Sequence, residues 1–177
     1  MAFNYLANTT PEKQLKQLTL ATLLTAGSLL LSSAANASEP SRNKFGDWQQ
    51  NCKTQSECAI SQGLQNPEQP GIVFSSQISY VSDSKEPILQ LNLPLGIYLP
   101  PGVAIDIGGN QHQAPVMVCL PQGCKVLLVL TPAIVEQLKN SATYSVKLFF
   151  TEQRASTLTF SLRGFTEALG SLPAGNK

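Results

Sequence analysis

Residues 91–130 read LNLPLGIYLPPGVAIDIGGNQHQAPVMVCLPQGCKVLLVL, a run of three strands joined by turns of recognisable chemistry. Pro100, Pro101 and Gly102 force a reversal, because two fixed φ angles followed by a permissive glycine suit a turn and not a strand interior. A strand then starts at Val103: Val103, Ile105 and Ile107 share one face, and Ala104 and Asp106 the other, the period-2 pattern of a half-buried strand. Gly108, Gly109 and Asn110 supply the left-handed conformations of a tight hairpin, so the chain is expected to fold back along 112–119. Cys119 and Cys124 flank Leu120, Pro121, Gln122 and Gly123, and a four-residue hairpin loop would set the two cysteines opposite each other at disulfide distance. The run ends in VLLVL (126–130), apolar at every position, as expected of a strand covered on both faces.

Outward from this stretch the same alternation recurs. Lys44 to Cys52 (KFGDWQQNC) reads as a first strand anchored by Phe45 and Trp48 with a bend at Gly46, after a loose lead over 38–43, and a second strand starts at Cys58. In 72–80, Ile72, Phe74, Ile78 and Tyr80 form an apolar face on which Ser76 is a small gap, and Leu89, Leu91 and Leu93 repeat the pattern to make a hairpin. Thr131 and Pro132 form an N-cap and a first-turn proline for a short helix over 132–139. Two late strands around Val146 and Phe160 follow, then one helical turn at Phe165 to Leu169 and a frayed end over 171–177. About eight short strands with turns every eight to twelve residues predict an all-β fold, an antiparallel β-sandwich or partly closed barrel with one or two short helices.

The first 37 residues read differently from the rest. Lys13 and Lys16, an apolar run from Leu18 to Leu31, and Ala35-Asn36-Ala37 match the charged region, apolar core and cleavage site of a secretory signal, with a membrane anchor as the rival reading. Residues 38–177 then form one domain in the periplasm, at the cell surface or outside the cell. The chain carries 12 basic and 11 acidic residues; Lys13, Lys16 and Glu12 leave with the leader, so the mature part holds ten of each. That balance speaks against nucleic acid and against a polybasic membrane-surface role.

All four cysteines, Cys52, Cys58, Cys119 and Cys124, lie in the mature part, where an oxidising compartment favours two disulfides. Three connectivities exist; the local pairs suit hairpin necks, and each would stabilise by about 2 kcal/mol, against roughly 4 for a crosslink between the segments. No zinc site or other cofactor is expected, since neither cysteine spacing is C-x-x-C and His112 is the only histidine.

FGDW (45–48) with Cys52 and Cys58 behind it, LPLGIYLPPGV (93–103), CLPQGC (119–124) and LRGFTEAL (162–169), in that order, resemble the invasion-associated locus B family of exported bacterial proteins. The resemblance implies a periplasmic or outer-surface β-sandwich of a Gram-negative bacterium, linked in some members to host-cell entry, with no catalytic residues to carry over. Only the cysteine framework transfers. Asn140 stands where a glycine is expected after the helix, and its tolerance of positive φ would serve.

Catalytic constellations are sparse. His112 and Asp106 form the one acid/base pair near in sequence, with an exposed edge histidine as the blander reading. No G-x-S-x-G elbow or phosphate-cradling glycine loop occurs. Trp48 reads as core rather than as a partner's anchor. Ile97, Tyr98 and Leu99, between two turns, are a candidate binding loop if exposed and a crossover between sheets if buried. The expected function is therefore non-enzymatic binding in the envelope, with a protein or envelope component as partner. The alternatives are an envelope-modifying hydrolase and a structural protein that self-associates through an exposed apolar edge strand.

Overall fold

A computed structural model describes residues 42–65, 73–81 and 84–173. The leader and its cleavage site lie outside the described residues, as do most of the 64–71 turn and residues 174–177. Among the described residues, eleven strands form two antiparallel sheets, with two short helices and no closed barrel. The strands are β1 (Arg42–Phe45), β2 (Trp48–Cys52), β3 (Cys58–Gln65), β4 (Val73–Tyr80), β5 (Pro87–Leu93), β6 (Val103–Ile107), β7 (Asn110–Ala114), β8 (Val116–Leu120), β9 (Gly123–Val129), β10 (Thr143–Phe149) and β11 (Ala155–Ser161). The helices are α1 (Pro132–Lys139), between β9 and β10, and α2 (Phe165–Gly170), after β11. The seven-stranded sheet runs β1-β2-β3-β4-β5-β9-β8 and the four-stranded sheet β11-β10-β6-β7.

Strand number exceeds the expectation because two runs read as single strands are each broken. Gly46, at φ 56°, and Asp47 turn the chain so that Phe45 pairs with Trp48, making a hairpin where a bend was expected. This pulls Arg42 and Asn43, read as a loose lead, into pairing with Asn51 and Gln50. The second break is Pro115. Without an N–H it cannot continue a ladder, and there the chain leaves β7 in the four-stranded sheet and enters β8 in the seven-stranded one. The hairpin from Gly108-Gly109 therefore ends at Ala114, and the Cys119–Cys124 hairpin belongs to the other sheet.

The sheets enclose one core, with Trp48, Ile60, Leu91, Ile105, Val126, Val146 and Phe160 fully buried. Ser76, the apparent gap in β4, is buried and accepts a 2.6 Å hydrogen bond from the Tyr144 hydroxyl of the opposite sheet. Burial drives the Tyr144 pKa far above the ordinary tyrosine range, so this hydroxyl stays protonated and able to donate. Thr131 caps α1 as read, accepting from the Ile134 N–H, but Asn140 closes it at φ −94°, not with positive φ; its side-chain amide donates to the Glu136 carbonyl at 2.8 Å instead. Residues 171–173 are docked rather than frayed: Leu172 is buried and the Ser171 carbonyl accepts from Gln50 Nε2. Among the described residues, no helix is long and apolar enough to cross a membrane.

Candidate functional site

Both cysteine pairs are local disulfides across antiparallel neighbours, Cys52–Cys58 joining β2 to β3 and Cys119–Cys124 joining β8 to β9. No described cysteine is free. The first pair closes the neck of the exposed 53–57 turn, with Cys52 and Cys58 themselves half-buried. At the other end of β2, Trp48 is fully buried, its indole N–H donating to the Ser161 carbonyl at 3.0 Å and its ring tilted against Phe165. FGDW and LRGF, far apart in sequence, clasp each other at this end. A Cβ on Gly46 would lie 2.4 Å from the Arg163 carbonyl oxygen, and one on Gly164 2.4 Å from that of Phe45. Asp47 then takes both Nε and Nη2 of Arg163 and the Ser161 hydroxyl. The Arg163 guanidinium, followed by the Ser161 hydroxyl, holds the Asp47 carboxyl down to about 2. Buried Gln62 donates to the Asp47 and Ser161 carbonyls and accepts from the Ser161 N–H. These groups fasten the fold and are satisfied by each other.

His112 and Asp106 do not converge. His112 pairs with buried Ile105 on the inner face of the four-stranded sheet, and its Nε2 lies 3.0 Å from Gln137 Oε1 of α1. Asp106 is on the outer face, accepting from the Gly109 N–H at 3.1 Å. That face forms an open concavity of about 400 Å³ lined by Asp106, Gln111, Gln113, Ser145, Lys147 and Thr157. Among the described residues, no three side chains of metal-binding type cluster together.

The 94–102 segment crosses from β5 to β6 and so between the sheets. Gly102 N–H donates to the Leu99 carbonyl at 2.9 Å, the turn expected over Pro100-Pro101. Ile97 points into the core, Tyr98 is half-buried with its hydroxyl donating to Glu152 at 2.8 Å, and Leu95 and Leu99 are exposed. The Glu152 carboxylate, by accepting that hydrogen bond, raises the Tyr98 pKa.

The second disulfide closes the opposite end of the seven-stranded sheet, which is bare. β8 is its edge strand, and every residue from Met117 to Leu120 is exposed. VLLVL is buried on one face only. Val126 is inside, while Leu127 (37% exposed) and Val129 (46%) face out, correcting the expectation of cover on both sides. Register explains the patch. Val118 pairs with Lys125 and Leu120 with Gly123, residues of the same outward face as Leu127 and Val129, and an irregularity at Met117 separates them from inward Val116. Met117 is 58% exposed, and Val118 and Leu120 44% each. From Ala114 to Gly123 the chain carries no charged side chain. Leu93 pairs with Cys124, so the chain leaves β5 toward Leu95 at the disulfide-closed end of this hairpin. The bare face was missed because an all-apolar run looks the same whether its outer side is covered or not; the uncharged stretch 114–123 was the available signal.

Comparison with known proteins agrees with this layout. A search of curated proteins finds no match. Among solved structures, invasion associated protein B from Bartonella henselae shares the fold with a TM-score of 0.64 at 21% identity, over 73% of this chain and 93% of that one. The family model described as "Invasion associated locus B (IalB) protein" matches residues 48–173. That span takes in Trp48 of the clasp, both disulfides, the crossover and LRGF, and by it the chain belongs to the invasion associated locus B family.

Proposed function

We propose that this protein is an exported, disulfide-fastened binding protein of the bacterial envelope that works by contact and not by catalysis. The observation that carries the reading is the uncharged, solvent-facing edge at β8, whose Met117, Val118 and Leu120 continue onto Leu127 and Val129 of β9. Exposed apolar side chains grouped on one edge mark an interaction surface, whereas the same residues scattered singly would mean nothing. Leu95 and Leu99 of the 94–102 loop extend this surface in the proposal, with Tyr98 holding the loop against Glu152. Two disulfides support maturation in an oxidising compartment, the periplasm or cell surface, after loss of residues 1–37. The name of the family and of the Bartonella protein speaks for a part in host-cell invasion.

Two measurements test this. Mass spectrometry of the exported protein under non-reducing conditions should give a chain starting at Ser38 and four hydrogens lighter than the reduced form. Crosslinking in intact cells should trap a partner with the wild type and not with Leu127→Lys. Recovery of the native protein from the cytosol with reduced thiols, or equal trapping by both forms, overturns the reading.

A further inference from the structure

We infer that the occupant of the β8 edge is a second copy of this chain, paired antiparallel about a twofold axis at Cys119; this rests on reading the edge as a binding surface and names its partner. Two sheets have four edge strands, and their chemistry differs. β1 exposes Arg42, Asn43 and Lys44; β7 exposes Asn110, Gln111 and Gln113; β11 exposes Ala155, Thr157 and Thr159. Lysine and other polar side chains are how natural sheets keep edges from pairing. Only β8, among the described edges, exposes large apolar residues and no charge.

Backbone geometry selects the register. The Cα atoms of Cys119 and Cys124 are 3.9 Å apart, the close spacing of a non-hydrogen-bonded pair, in which both residues turn N–H and C=O away from each other. The N–H and C=O of Cys119 therefore point to the open edge. Centred on Cys119, a second copy exchanges two main-chain hydrogen bonds, Cys119 with Cys119. Val118 of each chain then lies opposite Leu120 of the other, both on the outward face. Centring one residue earlier, on Val118, would instead set outward Leu120 against inward Val116, because the irregularity at Met117 shifts the faces.

Charge and symmetry favour a copy over a foreign strand. Segment 114–123 is neutral, so two copies meet without repulsion. The nearest charges on the face, the two Lys125 side chains, would stand three strand spacings apart, about 14 Å. That exceeds the roughly 8 Å screening length of physiological salt. The pairing is isologous and closes at two, whereas β8 against β1 would dehydrate Arg42 and Lys44 and propagate without end. One short strand gives an interface below the range of stable complexes, so the dimer is weak and concentration-dependent.

Sedimentation of the oxidised, exported protein should show a weight-average mass rising with concentration toward two chains. Exchange of the Cys119 amide should slow over the same range. Val118→Lys and Leu120→Lys should each weaken association at least ten-fold, while Val73→Lys, at an exposed position of β4 outside the proposed surface, leaves it unchanged; matched urea midpoints show all three folded. A wild type that stays monomeric, or association that survives Leu120→Lys, overturns the proposal. If the monomeric wild type is still crosslinked in cells to another protein and Leu120→Lys abolishes it, self-pairing falls and the binding reading stands; if nothing is captured, both fall.

Discussion

The two ends of the seven-stranded sheet carry the same fastener and have opposite surroundings. At one, Cys52–Cys58 joins β2 to β3, each paired on both sides, four residues along β2 from Trp48, and the edge strand β1 is polar. At the other, Cys119–Cys124 holds a hairpin whose outer face and free edge are apolar and touch water. A short-range disulfide at the first end joins strands that already have neighbours on both sides. At the second it ties an edge strand, paired on one side only, to buried Cys124 of β9. The difference separates a strand secured by neighbours on both sides from one with an open, apolar edge.

The clasped end breaks hardest. Gly164→Ala puts a methyl 2.4 Å from the Phe45 carbonyl oxygen at φ 81°, and should destabilise by roughly 3 kcal/mol or more in urea unfolding. Gly109→Ala is the control, with φ 86° and nothing within 4 Å, so only left-handed strain of about 1–2 kcal/mol is expected. Equal losses at the two glycines would show that the clasp is not a steric fit.

Next come the fasteners. Sequence separations of 6 and 5 make the chain-entropy terms nearly equal, about 2 kcal/mol each. Serine pairs in their place should therefore cost similar global stability but differ locally. Without Cys119–Cys124, amides of β8 should exchange by local opening, while β2 without Cys52–Cys58 stays protected by its pairing with both β1 and β3. Equal loosening of both hairpins would erase the distinction. Tyr144→Phe is a smaller change: it leaves buried Ser76 without its partner, a loss of about 1–2 kcal/mol that should leave hydrogen exchange at β8 untouched.

How much of this could be read beforehand follows from the range of the interactions. Gly108-Gly109, Thr131-Pro132 and the cysteine spacings act within a few residues, and their turn, cap and disulfides stand as expected. The Gly46 turn and the Pro115 sheet switch also had local signals, since Phe45 and Trp48 break period 2 and proline cannot sit inside a ladder. What no window shows is pairing across long separations. Asp47 with Arg163, Gln62 with Ser161 and Ser76 with Tyr144 each join segments that only the fold brings together. The bare β8 edge was hidden for the converse reason, because apolar pattern reports what avoids water locally and not whether the rest of the chain arrives to cover it.

The gentlest probe of the same contrast is acid. The Asp47 pKa is lowered to about 2 in the folded protein by Arg163 and then Ser161, against about 3.9 for a free aspartate. A carboxyl whose folded value is depressed stabilises the fold fully above its unfolded pKa and loses that contribution as pH falls through the folded one. Between pH 4 and 2 the clasped end should therefore weaken, with the urea midpoint of the wild type falling further than that of Asp47→Asn, which has no proton to take up there. The β8–β9 hairpin, 116–129, holds Lys125 as its only charged residue and no acid. Its amide protection, corrected for intrinsic exchange, should stay level over the same range while protection at β1 and β2 declines. A parallel decline at both ends would mean that acid acts on the sheet as a whole and that the ion pair does not set the stability of its own end.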